Sequence, residues 1–256
     1  MADPTAADLY DRQLATLLAS WEANARGCAD AAVLRPGGVA AAVFPTGAER
    51  DVYNNAVLAR GLGPDARAVA VAAMESAYAA AGVGHFAAWT DDGDAGMQAE
   101  LTGRGYAIAE TTRVMAMSLD DFDPLETDPV GVVVGPAPWA MYLKYLHGLG
   151  LPEDLLAGVD AGAYRVVAAR VGEETVATGL AFEHDGDCGI FNVSTLEPFR
   201  RRGIAAAVTA RLIAAARTAG CTTASLQSTP IAEGVYARLG FRYLGRFLEF
   251  AAADRP

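Results

Sequence analysis

Read for the spacing of apolar and polar positions, the chain contains two runs of elements that repeat one another. In the first, an alanine-rich helical stretch at 68–82 leads into an apolar run at 83–89. A second helix ends at Leu101-Thr102-Gly103-Arg104-Gly105-Tyr106, and a long alternating run reaches Leu119. The same order returns later: an alanine-rich helix at 204–220, a strand at 221–227, a short helix at 231–239 closing on Gly240-Phe241, and a final strand at 242–250. Ahead of each run lie paired strand signals, 31–34 with 39–44 across a Pro-Gly-Gly turn, and 164–171 with 175–184 across Gly172-Glu173-Glu174. Each half therefore predicts helix, antiparallel strands, helix, strand, helix, strand, which is a mixed α/β fold built twice.

Residues 138–148 add an amphipathic helix whose Trp139, Tyr142, Tyr145 and Leu146 share one face and leave Lys144 outside. A second short helix is expected at 152–159. The acidic stretch 120–129, interrupted by Pro124 and Pro129, reads as a linker, so the domains are placed at 1–128 and 129–256.

Composition narrows the picture. With 256 residues, 52% hydrophobic and 20% charged, the chain is globular and long enough for two cores. Cys28, Cys188 and Cys221 are odd in number and lack metal spacing, and no apolar leader opens the chain, so a cytoplasmic protein without disulfides or metal is expected. The apolar runs are too short and too often broken for a membrane span. A net charge of -11 repels nucleic acid and anionic membranes and favours a cationic partner such as a small amine.

The candidate chemistry lies at Asn192-Val193-Ser194-Thr195 and the following Arg200-Arg201-Arg202-Gly203-Ile204-Ala205-Ala206, which runs from a strand through a short loop into a helix. The first amides of a helix have no internal partner and sit at the positive end of its dipole, so they bind an anion whose oxygens can approach them. Small residues at Gly203 and Ala205 permit that approach, and Arg200, Arg201 and Arg202 add charge around a diphosphate. The chain has no glycine-rich loop of the dinucleotide-binding or P-loop spacing, which sets those readings aside.

At these residues the chain resembles the GCN5-related N-acetyltransferases, whose coenzyme A motif reads Gln or Arg, two residues, Gly, one residue, Gly or Ala. Arg200 to Ala205 matches it at every defined position, and Tyr236-Ala237-Arg238-Leu239-Gly240-Phe241 is similar to the family's Tyr-x-x-x-Gly-Phe ending. The likeness covers 130–252 fully and 8–119 more faintly. It implies two tandem acyl-CoA N-acyltransferase folds, the second one catalytic. In the first, Leu101 stands where the second has Tyr236, and Arg60-Gly61-Leu62-Gly63-Pro64-Asp65 places an acid where a phosphate would lie, so that half is a degenerate copy.

The resemblance further implies acetyl-CoA as co-substrate and transfer of its acetyl group to a primary amine of a small molecule, in a monomer or homodimer. Val193, Ser194 and Thr195 map to the strand that pairs with the pantetheine arm, Ile204 and Ala206 lie with Gly203 and Ala205 in the phosphate turn, and Tyr236 is carried over as general acid for the departing thiolate. Glu183 is the first candidate for general base, with His184 and Asp187 behind it and a plain hairpin charge as its other reading. Asn192 is placed to orient the amine, and Tyr142, Tyr145 and His147 flank the acceptor cleft. The rival function is a non-catalytic acyl-CoA sensor that uses the same loop without processing an acceptor.

Overall fold

A computed structural model describes residues 4–47, 53–123, 128–151 and 153–253. Along the chain it contains α1 (Ala6–Arg26), β1 (Ala32–Leu34), β2 (Val39–Val43), β3 (Asn55–Leu58), α2 (Pro64–Ala80), β4 (Ala87–Asp91), α3 (Ala95–Gly103) and β5 (Tyr106–Ser118). Then follow β6 (Val133–Pro136), α4 (Trp139–Gly148), β7 (Tyr164–Val171), β8 (Glu174–His184), β9 (Asp187–Thr195), α5 (Ile204–Thr218), β10 (Thr223–Ser228), α6 (Glu233–Arg238) and β11 (Arg242–Ala252). The fold is mixed α/β with parallel and antiparallel strand pairs, as the alternation of patterns predicts.

Contacts group residues 1–20 with 114–244 into a C-terminal unit, and 21–113 with 245–256 into an N-terminal unit. A single cut at 128 does not describe this grouping, because α1, β5 and β11 each divide between the two units. Of the stretch expected as a linker, 124–127 lie outside the described residues; Ser118 caps a 3-10 turn at Leu119–Asp121, and Phe122 is buried in the core.

In the C-terminal unit the strand order is β5-β10-β9-β8-β7-β6. Strands β6 to β9 pair antiparallel and β10 joins β9 in parallel. Helix α5 covers one face because Ile204, Ala207, Val208, Leu212, Ile213 and Ala216 recur at helical spacing and are all buried. Its approach to β8 is close: a Cβ on Gly179 would stand 2.9 Å from Val208 Cγ1, so only glycine fits that strand position. Met115, Met117, Tyr236, Leu239 and Phe241 complete the same core.

The N-terminal unit has the order β1-β2-β3-β4-β11-β5, with its own core of Val39, Leu58, Val71, Met74, Tyr78, Met97, Leu101 and Phe250. Four elements differ from the sequence reading. The run at 83–89 enters the sheet only at Ala87. The short strands β3 and β6 carry no alternation that marks them. Pro152 lies outside the described residues, and the expected helix at 152–159 reduces to a 3-10 turn at Glu153–Leu156.

Candidate active site

Strands β9 and β10 pair in parallel from Asp187–Thr223 to Ile190–Leu226 and no further, so Phe191–Thr195 run on without β10 beside them. The cause is a bulge. Opposite β9, Thr178 pairs with Ser194 and Leu180 with Phe191, so Gly179 faces both Asn192 and Val193. Asn192 takes a left-handed backbone, φ 52°, a conformation Asn tolerates better than most side chains. The Leu196 amide bonds Val176 of β8, and strand alternation then turns the N–H groups of Val193 and Thr195 away from β8, towards the gap.

Helix α4 braces the bulge. Asn192 Nδ2 donates to the Tyr142 hydroxyl at 2.8 Å, and Ser194 Oγ lies 3.2 Å from the Tyr145 hydroxyl. Burial pushes the Tyr142 phenol up to about 12, and the hydrogen bond from Asn192 offsets part of that. Lys144 points outward from the same helix, and His147 is exposed and paired with Glu153.

The turn after β9 forms an anion cradle. Arg200 Nε donates to the Thr195 carbonyl at 3.0 Å, tying the loop to the end of the strand. Arg201 is left-handed at φ 60°, and Gly203, at φ 78°, is the N-cap of α5 without any capping side chain. The first amides of α5 are therefore not taken by a cap, at the positive end of the dipole. A Cβ on Gly203 would find only Pro129 Cγ, 3.9 Å away, so it is the backbone conformation that calls for glycine here.

A cavity of about 670 Å³ joins these parts. Val193, Ser194, Thr195, Arg200, Arg201, Gly203, Ile204, Ala205, Ala206 and Tyr236 all line it, and Phe199, Thr229, Ile231, Ala232, Val235 and Arg238 complete the wall. Tyr236 is 7% exposed and makes no hydrogen bond among the described residues, and burial pushes its phenol up to about 12. Thr195 Oγ1 is buried in the same place without a partner. A cradle of free amides, two strand N–H groups and an orphaned hydroxyl fit an extended, amide-containing ligand that ends in a diphosphate. No Asp, Glu or His lines this cavity among the described residues.

Two of the expected residues stand elsewhere. Glu183 pairs with Cys188, six residues before Ser194 on β9, or about 20 Å away along the strand. Its carboxylate bonds Arg165 at 2.8 Å and lines a separate cavity of about 380 Å³ with Tyr164 and Phe182. Arg202 turns out of the cradle and lies over the Phe199 ring at 5.3 Å, because the left-handed Arg201 redirects the chain. Of the secondary base candidates, Asp187 is buried and saturated by Thr223 and Ser225 hydroxyls at 2.7 and 2.6 Å, and His184 sits at the hairpin tip near Asp185.

Sequence reasoning did not place Arg238, Ile231 and Val235 in the wall. Their signal was the spacing 231, 235, 238, which repeats at helical intervals on a side other than that of Tyr236. No group of three or more potential metal ligands occurs among the described residues, and none of their helices is long and apolar enough to cross a membrane.

Residues 135–241 match the model of the acetyltransferase (GNAT) family. Among solved structures, a GCN5-related N-acetyltransferase from Kribbella flavida aligns with a TM-score of 0.69 at 20% identity, covering 93% of this chain and 96% of that one. One from Sphaerobacter thermophilus gives 0.59 at 16% identity over 99% and 95%. A tandem GNAT protein from the clavulanic acid biosynthesis pathway gives 0.58 at 13% over 99% and 98%. No curated protein matches the chain in sequence. Identities this low establish a shared fold, while the family match spans the bulged strand, the anion cradle and Tyr236. Over that segment the chain is similar to the acetyltransferase (GNAT) family, and over its whole length it shares the fold of solved GCN5-related N-acetyltransferases.

Proposed function

We propose that the C-terminal unit binds acetyl-CoA in the 670 Å³ cavity and transfers the acetyl group to a primary amine of a small molecule by direct attack on the thioester. The observation that carries this reading is the convergence, in one cavity, of an uncapped helix start, a parted strand and an unpartnered buried phenol. The diphosphate lies at the amides of Ile204, Ala205 and Ala206 with Arg200 and Arg201 beside it, and Arg202 acts only at longer range. The pantetheine arm runs along Val193–Thr195, where Thr195 Oγ1 and the two outward N–H groups supply its hydrogen bonds.

The amine nitrogen attacks the thioester carbon, a strand N–H stabilises the oxyanion that forms, the C–S bond breaks, and the thiolate takes a proton. Tyr236 donates to that thiolate; a phenol held near 12 stays protonated throughout the working range. Since no carboxylate or imidazole lines the cavity, Glu183 is not the base in this reading; the amine arrives neutral, and the proton it loses after attack leaves to water, which in turn restores the Tyr236 phenol. The rate then rises with pH until the amine's own ionisation near about 10.4 is passed. Asn192, held by Tyr142, keeps its side-chain carbonyl free to orient the incoming N–H.

Separate calorimetric titrations with acetyl-CoA, CoA and ADP test the site, followed by thiol release with a panel of small amines. Micromolar binding of both coenzyme forms and amine-dependent thiol release are expected. Binding without release for every amine would favour the sensor instead, and no binding at all would overturn both.

A further inference from the structure

We infer that Arg238 is the counter-charge for the ribose 3′-phosphate of coenzyme A, so that this site separates CoA from its 3′-dephospho form. The inference deepens the acetyl-CoA reading above and rests on it.

The cavity has cationic groups on two walls. On the α5 wall are the free amides with Arg200 and Arg201; on the α6 wall stands Arg238, exposed and without a hydrogen bond or ion pair among the described residues. Coenzyme A carries two separate anionic groups, the diphosphate and the 3′-monophosphate beside the adenine. The helix start suits the first by its amides, so Arg238 is left for the second, where a guanidinium can bind two phosphate oxygens at once. Val235 and Arg238, three residues apart, share one side of α6, while Tyr236 is buried on another.

Beside them the Ile231 side chain is 96% exposed and also lines the cavity. An apolar side chain left bare at the rim of a binding cavity, next to an unpaired arginine, is suited to the face of an adenine with a phosphate at its edge. The local charge is opposite to that of the molecule. The chain carries a net -11, yet the charged residues lining this cavity are all arginines, Arg200, Arg201 and Arg238. That inversion concentrates a polyanion at a surface that otherwise repels it.

The test is calorimetry of CoA and 3′-dephospho-CoA against the wild type, Arg238→Gln and Arg238→Lys. The wild type is expected to prefer CoA by about tenfold. Arg238→Gln should bind both forms within about twofold of the wild type's dephospho-CoA affinity, and Arg238→Lys should keep part of the preference, since its charge remains without the fork. Equal weakening of both ligands in Arg238→Gln would place the arginine on the diphosphate and overturn the inference, as would a wild type without preference. A wild type that binds neither form would overturn the acetyl-CoA reading itself.

Discussion

In the C-terminal unit the turn from β9 into α5 leaves the first amides of the helix open to a cavity, whereas in the N-terminal unit the turn from β3 into α2 is engaged by the protein's own carboxylates. Asp94 Oδ2 accepts the Gly61 amide at 3.3 Å and its Oδ1 accepts the Met97 amide at 2.9 Å. Arg60, the counterpart of Arg200, is drawn to Asp91 at 3.4 Å. Pro64 at the start of α2 has no N–H to offer, and Asp65 adds a like charge. The strands differ too: β3 stays paired with β4 up to Val57, one residue from its end, while β9 keeps β8 but runs on without β10 beside it from Phe191 to Thr195. Where Tyr236 meets a cavity, Leu101 is buried in the core. An Arg-x-x-Gly turn is therefore not in itself an anion site; the helix start must also lack an internal carboxylate, and the strands beside it must part.

The most forceful way to break the contrast is to give the C-terminal cradle a carboxylate of its own. Ala205→Glu sets a charge in the cavity at the second residue of α5, where it would stand against a diphosphate. Acetyl-CoA affinity measured by calorimetry should fall on the order of 1,000-fold. The unfolding temperature should hold or rise, because an acid in the first turn suits the dipole. Undiminished binding would place the coenzyme elsewhere.

Tyr236→Phe makes the site resemble Leu101's unit at a single atom. Turnover followed by thiol release should drop about 100-fold while the acetyl-CoA dissociation constant stays within about twofold. A rate like the wild type's would remove Tyr236 from the acid role.

Alkaline titration separates Tyr142 and Tyr236 from the more deeply buried Tyr78. Tyr142 and Tyr236 both ionise at about 12 in the folded protein against 10.0 when unperturbed. Between those values the unfolded chain loses its protons first and the native state keeps its own, so stability must fall as pH rises. The slope is about 1.4 kcal/mol per pH unit for each such tyrosine, read by denaturant melts from pH 9 to 11.5. Tyr78, buried in the N-terminal unit and donating to the Ala42 carbonyl at 3.1 Å, is pushed up further and should titrate only on unfolding. A flat stability profile above pH 10 would contradict the burial of these phenols.

Asp94→Ala should have the smallest effect. Losing the cap of α3 costs about 1 kcal/mol in chemical denaturation, with coenzyme affinity and a stoichiometry of one per chain unchanged. A second coenzyme bound per chain would show that Asp94 alone had been keeping the N-terminal turn closed.

Much of this was legible in the residues. The repeated order of elements follows from hydrophobic periodicity, and the strand β7 and the helix α5 lie within a few residues of where their patterns place them. Arg200 to Ala206 stood out because free amides at a helix start need small neighbours, a local requirement written in consecutive residues. The short strands β3 and β6 were hidden because strands buried or edge-paired over four residues need no alternation. Where Glu183 would stand was not legible, because the hairpin sends β8 and β9 in opposite directions and leaves it beside Arg165 rather than in the cavity.

The sequence by itself determined the tandem α/β plan, the small-residue turn that opens α5 and the tyrosine that follows it, since each depends on residues close in the chain. The tertiary structure alone decided that Asn192 bulges, that Tyr142 holds it there and Tyr145 meets Ser194, that Arg202 leaves the cradle and Arg238 enters its wall, and that Asp94 closes the other turn. Those outcomes depend on pairing register and on side chains brought together from distant elements, and no periodicity along one chain encodes where such side chains meet.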